Sequence, residues 1–407
     1  MKRYWKIIFL CILSIVVIGT FYIQSSLAEQ ENIQIEFEKV KGSEKEVKDL
    51  LLYGNYVVGN LYQDLQITEK ETTQMNYQSL FQRLSTDRYA PIFRNLINNH
   101  KSFMRGKDLS PNCFYEDEDL LIYANVNGDF NEDPSNDINF TIEVFNKDSE
   151  ETFAFQTNVA KKEKYSWMNL EDVQAAGGSL NVITKGYGKN GAEDLLVYTF
   201  DLKEQKLTEK NTIISSQTTN NGWNEISMNH DYNSIQPENY HLIIKKTFEA
   251  EEVRTNGEVM SYDGQAKLEA NEAYLYDIKN NQLKKLSFPD ELLQSYGTYS
   301  IFHSTIYIQT LSANGIGVHP YDIEKDKWGE VLTFDLPQSK NTNDQPFIKL
   351  MNEKIYTIHS INNGHILSIG DLITGKSLYE GKLLVTNQKE NQEDYQVDFH
   401  EMELLKK

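Results

Sequence analysis

The chain has 407 residues, 39% hydrophobic and 12% aromatic with only 8 Pro, a composition that excludes a disordered chain and favours half-buried strands. Its 60 acidic residues outnumber 40 basic ones for a formal net charge of −20, which excludes nucleic acid and anionic lipid as partners of the body. Only two cysteines are present, one of them Cys11 inside an apolar run, so no internal disulfide staples the rest; an exported chain without disulfides fits a Gram-positive cell surface.

Lys2, Arg3 and Lys6 precede an uncharged apolar run from Ile7 to Ile23. Residues 1–28 are therefore predicted to be a signal peptide or a signal anchor. The run is longer than a signal-peptide core and just short of the ~20 residues that span a bilayer, a gap that Tyr4, Trp5 and Tyr22 can close as interfacial anchors. Ser26-Leu27-Ala28 offers a cleavage site, so both a membrane-anchored and a secreted product stay open. Either way the cations remain on the cytoplasmic side and the body lies outside. No cysteine directly follows the apolar core, which excludes a lipoprotein.

Residues 29–110 are predicted to hold irregular strands, including "DLLLYGNYVVGNLYQDLQI", followed by a helical insertion. Leu80, Phe81 and Leu84, then Ile92, Phe93, Leu96 and Ile97, recur at helical spacing, and Pro91 suits a first turn. These stripes are expected to pack on the chain's own core. Cys113 has no basic neighbour in sequence and is expected to be a small buried hydrophobe rather than a reactive thiol.

Residues 111–407 form the larger part of the chain, a succession of β-prone runs separated by turns, and are read as one domain with residues 29–110. Early in this region "NVNGDFNEDPSND" sets Asp129, Asn131, Asp133, Ser135 and Asp137 at alternate positions. That is an oxygen-ligand spacing used by calcium loops. It departs from the helix-loop-helix version, because Pro134 replaces the turn glycine and no acid occupies position 12. Calcium is thus the one cofactor the sequence suggests, set against a metal-free polar hairpin built from ordinary turn residues.

The stretches "YTFDLKEQKLTE", "YLYDIKNNQLKKL", "HPYDIEKDKWGEVL" and "SIGDLITGKSLYEG" share one frame. Asp201, Asp277, Asp322 and Asp371 are each followed by Leu or Ile, then polar or Gly residues, then a second β-prone run. The pattern reads as strand, tight turn, strand, with the Asp side chain bonding the turn backbone. The last copy contains "GDLITGKS", a letter-perfect phosphate-loop pattern. A phosphate loop opens a helix, whereas Leu378-Tyr379-Glu380-Gly381 is too short and glycine-broken to form one. A nucleotide is therefore not expected. Asp277 to Asp322 is 45 residues and Asp322 to Asp371 is 49, the length of a four-stranded blade.

With these hairpins in hand, "DLITGKSLYEG" resembles the D-x-x-T-G-K repeat of quinoprotein-like β-propellers, with Tyr379 where that family usually has Trp. The resemblance implies an all-β fold, a propeller of about six or seven irregular four-stranded blades. It does not carry over the family's redox cofactor, whose binding needs an adjacent Cys pair absent here. The closing run "YQVDFHEMEL" is expected to pair with early strands and remove the open edges.

Chemistry is sparse. Eight histidines are scattered without H-x-H, H-x-x-x-H or H-E-x-x-H spacing, and His303 and His359 are read as equivalent packing positions in consecutive blades. There is no G-x-S-x-G elbow. The sequence therefore points to an extracytoplasmic, membrane-tethered propeller that binds, senses or scaffolds, its partner a membrane protein or cell-wall component. The alternative is a secreted glycan hydrolase or lyase using channel-lining Asp and Glu.

Overall fold

The computed structural model describes residues 33–405 except 60, 76–88, 128–136, 160–164, 189–190, 217–221, 229–233, 251–252, 256–257, 262–265, 290–291, 293–298, 313–314, 338–344, 363 and 387–394, together with eight positions between Trp5 and Thr20. In chain order, β1 (Gln34–Gly42), β2 (Leu50–Val58), β3 (Leu61–Thr68) and β4 (Thr72–Gln74) precede α1 (Pro91–Asn99) and α2 (Lys101–Met104). Next come β5 (Phe114–Glu116), β6 (Leu120–Asn127), β7 (Ile138–Asn146) and β8 (Thr152–Val159). They are followed by β9 (Tyr165–Ala176), β10 (Ser179–Gly188), β11 (Glu193–Asp201) and β12 (Lys206–Ser215). After these come β13 (Gly222–Met228), β14 (Tyr240–Ala250), the small hairpin β15 (Val253–Thr255) and β16 (Glu258–Ser261), then β17 (Ala266–Asp277) and β18 (Gln282–Leu286). The chain continues through β19 (Tyr299–Phe302), β20 (Thr305–Ser312), β21 (Gly315–Asp322), β22 (Lys327–Trp328) and β23 (Leu332–Asp335). It ends with β24 (Phe347–Met351), β25 (Lys354–Ile361), β26 (Gly364–Asp371), β27 (Ser377–Thr386) and β28 (Gln396–Leu404).

Among the described residues these strands build six antiparallel blades of a β-propeller. Blade 1 is β28-β2-β3-β4, blade 2 is β5 to β8, and blade 3 is β9 to β12. Blade 4 is β13-β14-β17-β18, blade 5 is β19-β20-β21 with β22 and β23 sharing the outer edge, and blade 6 is β24 to β27 with β1 added outside. The first strands form the inner ring: β5 touches β9, β19 touches β24, and β24 touches β28. Closure is double. The last strand enters blade 1 with Leu50 opposite Leu404, and the first strand extends blade 6 with Gln34 opposite Thr386. This is the closing role expected of the C-terminal run.

Central strands are buried on both faces and read as apolar runs, such as Leu195–Tyr198 of β11. Outer strands alternate, as β8 does along its whole length. The apolar faces meet at seams between successive blades. Phe140, Ile142, Val182 and Phe200 join blades 2 and 3; Ile183, Val197, Ile226 and Tyr276 join blades 3 and 4. Leu242, Leu275, Ile306 and Tyr321 join blades 4 and 5, and Ile316, Val318, Ile355 and Leu372 join blades 5 and 6. Ile35, Leu52, Ile67, Tyr356, Leu367 and Met402 join blade 6 to blade 1. Each fully buried aliphatic side chain in such a seam contributes ~1.5–3 kcal/mol of transfer free energy.

The turn frame read from the sequence is present in the structure. Asp201 Oδ1 accepts from the backbone of Lys203 and Glu204, Asp277 Oδ1 from Asn280, and Asp322 Oδ1 from Lys325. Asp371 Oδ1 accepts from Ile373 at 2.9 Å and Thr374 at 2.6 Å. Four residues after each Asp the backbone turns left-handed: Gln205, Asn281, Asp326 and Gly375, with φ between 51° and 69°. Gly375 of the phosphate-loop pattern therefore serves a hairpin. A fifth copy escaped the sequence reading, because Asn146 replaces the Asp; it accepts from Asp148 and Ser149, and Glu150 takes φ 56°.

One expectation needs correction. His303 sits in the β19–β20 turn at φ 53° with 84% side-chain exposure, whereas His359 is buried within β25. Aligning Thr305 of β20 with Lys354 of β25 puts Thr310, not His303, opposite His359. The two histidines are therefore not equivalent. Of the helical stripes, Phe93 and Leu96 are buried in α1 as expected, whereas Leu80, Phe81 and Leu84 lie outside the described residues.

Candidate functional site

Calling the ends where the inner strands begin and finish the upper and lower rims, one cavity of about 870 Å³ opens at the lower rim. Its walls are the β19–β20 turn, β24 and its turn, the last residues of β28, α1, and the segment Ser234–Tyr240 that leads into β14. This last segment acts as a strap. It leaves blade 4, buries Ile235 among Phe93, Phe114 and Tyr123, and accepts the Glu116 N–H of blade 2 on the Ile235 carbonyl at 2.7 Å. On the way back the Glu238 N–H donates to Gln174 Oε1 of blade 3 at 2.9 Å.

A buried charged cluster holds the strap. His241 Nε2 lies 2.8 Å from Asp172 Oδ2, and His241 Nδ1 lies 3.2 Å from Glu238 Oε2, with His241 fully buried. Burial disfavours the imidazolium, but the hydrogen bonds to Asp172 and Glu238 outweigh it and raise the pKa to about 10. His241 is therefore a cation at neutral pH, clamped between blade 3 and the strap. Two further pairs join blades at this rim: Lys349 with Glu401 across blades 6 and 1, and His303 with Glu353 at 3.4 Å across blades 5 and 6. Between them Tyr240, Tyr299, Phe302 and Phe347 supply aromatic surface, and Asn95, Asn239 and Asn352 supply amides.

The residues singled out from sequence lie elsewhere. Asp137 is exposed just before β7, and Asp129, Asn131, Asp133 and Ser135 lie outside the described residues. Among the described residues no group of three or more His, Cys, Asp or Glu is placed to hold a metal ion. Cys113 is buried against the helices, and burial, then Asp108, push its thiol up to about 12, which leaves it unreactive. Neither Asp172 with His241 nor Lys349 with Glu401 was legible in advance, since each pair joins residues more than fifty apart.

No family model matches the sequence, and no curated protein matches it. Solved structures share the architecture at low similarity. The polysaccharide lyase Uly1 is 11% identical with TM-score 0.34 over 67% of this chain and 57% of that one. The β-propeller domain of the Trilobed protease from Pyrococcus furiosus is 13% identical with TM-score 0.27 over 88% and 99%. Porphyromonas gingivalis dipeptidyl peptidase 4 is 10% identical with TM-score 0.34 over 78% and 42%. The chain thus spans less than two thirds of the lyase and of the peptidase, and likenesses this distant assign no activity to it.

Proposed function

We propose that this chain is an exported, membrane-tethered β-propeller that binds a ligand in the lower-rim cavity without turning it over. The observation that carries the reading is the pairing of Glu238 and Glu401, two of the carboxylates that line the cavity, with cations. Glu238 pairs with the His241 cation and Glu401 with Lys349, while Glu353 lies 3.4 Å from the His303 ring, and a carboxylate engaged with a cation is not at hand to protonate a leaving group. The cavity falls within the size of ordinary small-ligand sites, ~300–1,000 Å³, and its aromatic and amide lining suits a polar ligand with apolar faces.

Tethering rests on the cationic start, the apolar run and the exposed side chains within it. Trp5, Phe9, Ile12, Leu13, Val16 and Val17 are helical and 47–58% exposed, and the Thr20 hydroxyl donates back to the Val16 carbonyl at 2.7 Å, which suits an apolar surround. No helix among the described residues is itself long and apolar enough to cross a membrane. The likeness to quinoprotein-like repeats is a likeness of hairpin turns, and no quinone is proposed. A calcium ion at Asp129–Asp137 remains part of the proposal as an optional ligand.

Two measurements test this reading. Full-length chain should fractionate with membranes, and residues 29–407 alone should be soluble; soluble full-length chain with an intact N-terminus would remove the tether. A thermal-shift screen of peptides and oligosaccharides should yield a ligand whose effect disappears in Asn95→Trp, which fills the cavity from an exposed position on α1. Multiple turnover of that ligand would make the site catalytic and reject the binding reading.

A further inference from the structure

The upper rim carries a second set of features that the cavity does not use. Trp167 stands near the start of β9 and Trp223 near the start of β13, the innermost strands of adjacent blades, and each is 41% exposed. Single exposed hydrophobes are ordinary, but these two are built alike. The Trp167 indole N–H donates to Asn169 Oδ1, and the Trp223 indole N–H lies 3.4 Å from Glu225 Oε1. In both cases the partner is two residues on, along the same exposed edge.

Each tryptophan has an aromatic residue opposite it in register on the neighbouring strand. Trp167 pairs with Tyr187, and Trp223 stacks on Phe248 at 5.3 Å with an interplanar angle of 20°. Leu268, opposite Phe248, continues the second surface onto β17.

The two rings are also held in fixed relation. From blade 3, Lys185 Nζ donates to the Ile226 carbonyl at 2.7 Å, and Glu193 Oε2 accepts the Ile226 N–H at 2.8 Å, so β13 is gripped three residues from Trp223. Lys185 and Glu193 pair with each other at 2.9 Å. The start of β9 is anchored in turn by the Tyr165 hydroxyl, which donates to buried Asp194 Oδ2 at 2.5 Å. Rings fixed before the ligand arrives lose little entropy on binding.

We infer that Trp167 and Trp223 form a two-platform site for a neutral polysaccharide strand at the channel end opposite the cavity. A pyranose ring offers an apolar C–H face that lies flat on an indole and a rim of hydroxyls that reach polar neighbours. Asn169, Glu225 and Ser227, on the exposed edges beside the rings, can accept or donate to such hydroxyls. Charge selects among polymers. Among the described residues beside the rings, Asn169 and Ser227 are neutral, Glu225 lies opposite Lys246 in register, Lys185 is spent on Glu193 and Ile226, and the chain carries a net −20, so no unopposed cation draws a polyanion there. Two platforms on neighbouring blades suit a chain rather than a single sugar, because joined contacts reinforce one another.

The test is co-sedimentation of the full chain, held in a detergent without a sugar headgroup, with particles of cellulose, chitin or curdlan and with calcium alginate as the polyanion. Retention is expected on at least one neutral polymer and not on alginate. Trp167→Ala and Trp223→Ala should each weaken it about tenfold and the double variant should abolish it, while Trp167→Phe retains part and Asn95→Trp changes nothing. Circular dichroism and melting of the variants should match the parent, since both rings are exposed. Retention on none of the neutral polymers, retention unchanged in the double variant, or preference for alginate would overturn the assignment. Loss in Asn95→Trp alone would place polymer binding in the cavity instead.

Discussion

The seam between blades 6 and 1 and the seam between blades 1 and 2 solve the same packing problem in opposite ways. At the first, both chain ends are used: β1 widens blade 6, β28 becomes the inner strand of blade 1, and Leu52, Ile67, Leu367 and Met402 interlock from both sides. At the second, the chain inserts α1 and α2, and the buried cluster draws its sheet residues from blade 2 alone, with Phe93, Leu96 and Phe103 from the helices and Ile235 from the strap. Ring closure thus falls on strand pairing between residues far apart in sequence, whereas the helical seam is free to shape the cavity. Stability and binding surface are separated around the ring.

Removing β28 should have the largest effect. A chain ending at residue 394 loses the partner of β2 and exposes Leu50 to Val57 as an open edge. Size-exclusion chromatography should show aggregates; a monomeric, cooperatively unfolding truncation would break the contrast, because closure would then not depend on this strand.

Next in size is the clamp that ties the helical seam to blades 3 and 4. Asp172→Ala leaves the His241 cation buried without its main partner and should cost ~3–5 kcal/mol, read from the urea midpoint. Proteolysis near the strap should accelerate with it. The pH dependence has a definite sign: the folded pKa of His241 is raised to about 10, above the ~6.5 of an unfolded histidine. Its stabilisation is therefore complete below about pH 6.5 and is lost as pH climbs toward the folded value. The parent should weaken between pH 7 and 9.5, and His241→Gln should flatten that slope; an unchanged slope would mean that another group controls it.

The seams themselves can be compared with one chemistry. Leu52→Ala, in the closure seam, should cost ~2–5 kcal/mol, and Leu96→Ala in α1 should fall at the low end of that range, because a short helix can settle into the space. Equal costs by chemical denaturation would show that the helical seam is packed as rigidly as the sheet seam. The smallest effect belongs to the hairpin that mimics a phosphate loop. Gly375→Ala should cost about 1 kcal/mol from its left-handed backbone, φ 69°. Lys376→Ala should leave the melting temperature unchanged, and magnesium-ATP should produce no shift in the parent.

Rules that act over a few neighbouring residues were legible in the sequence. The Asp-led turns of blades 3 to 6 could be read because a carboxylate, a few backbone N–H groups and one left-handed residue lie within five positions. The copy led by Asn146 was missed because the amide oxygen makes the same bonds under a different letter. Gly370 occupies the position that Phe200, Tyr276 and Tyr321 hold in the other copies. A Cβ there would come within 2.2 Å of Phe334 Cε1, which reaches over from blade 5. Its neighbour in space is 36 positions away, so no local pattern announces it.

From the order of residues alone came the all-β class, the blade period, the turn frame and the cationic, apolar start, because each depends on groups close together along the chain. Tertiary structure alone decided that His241 meets Asp172 across 69 residues, that the strap crosses from blade 4 to blade 2, and that two tryptophans share one rim. Such juxtapositions depend on blade count, register and closure, which pair residues by their place around the ring and not by their distance along the sequence.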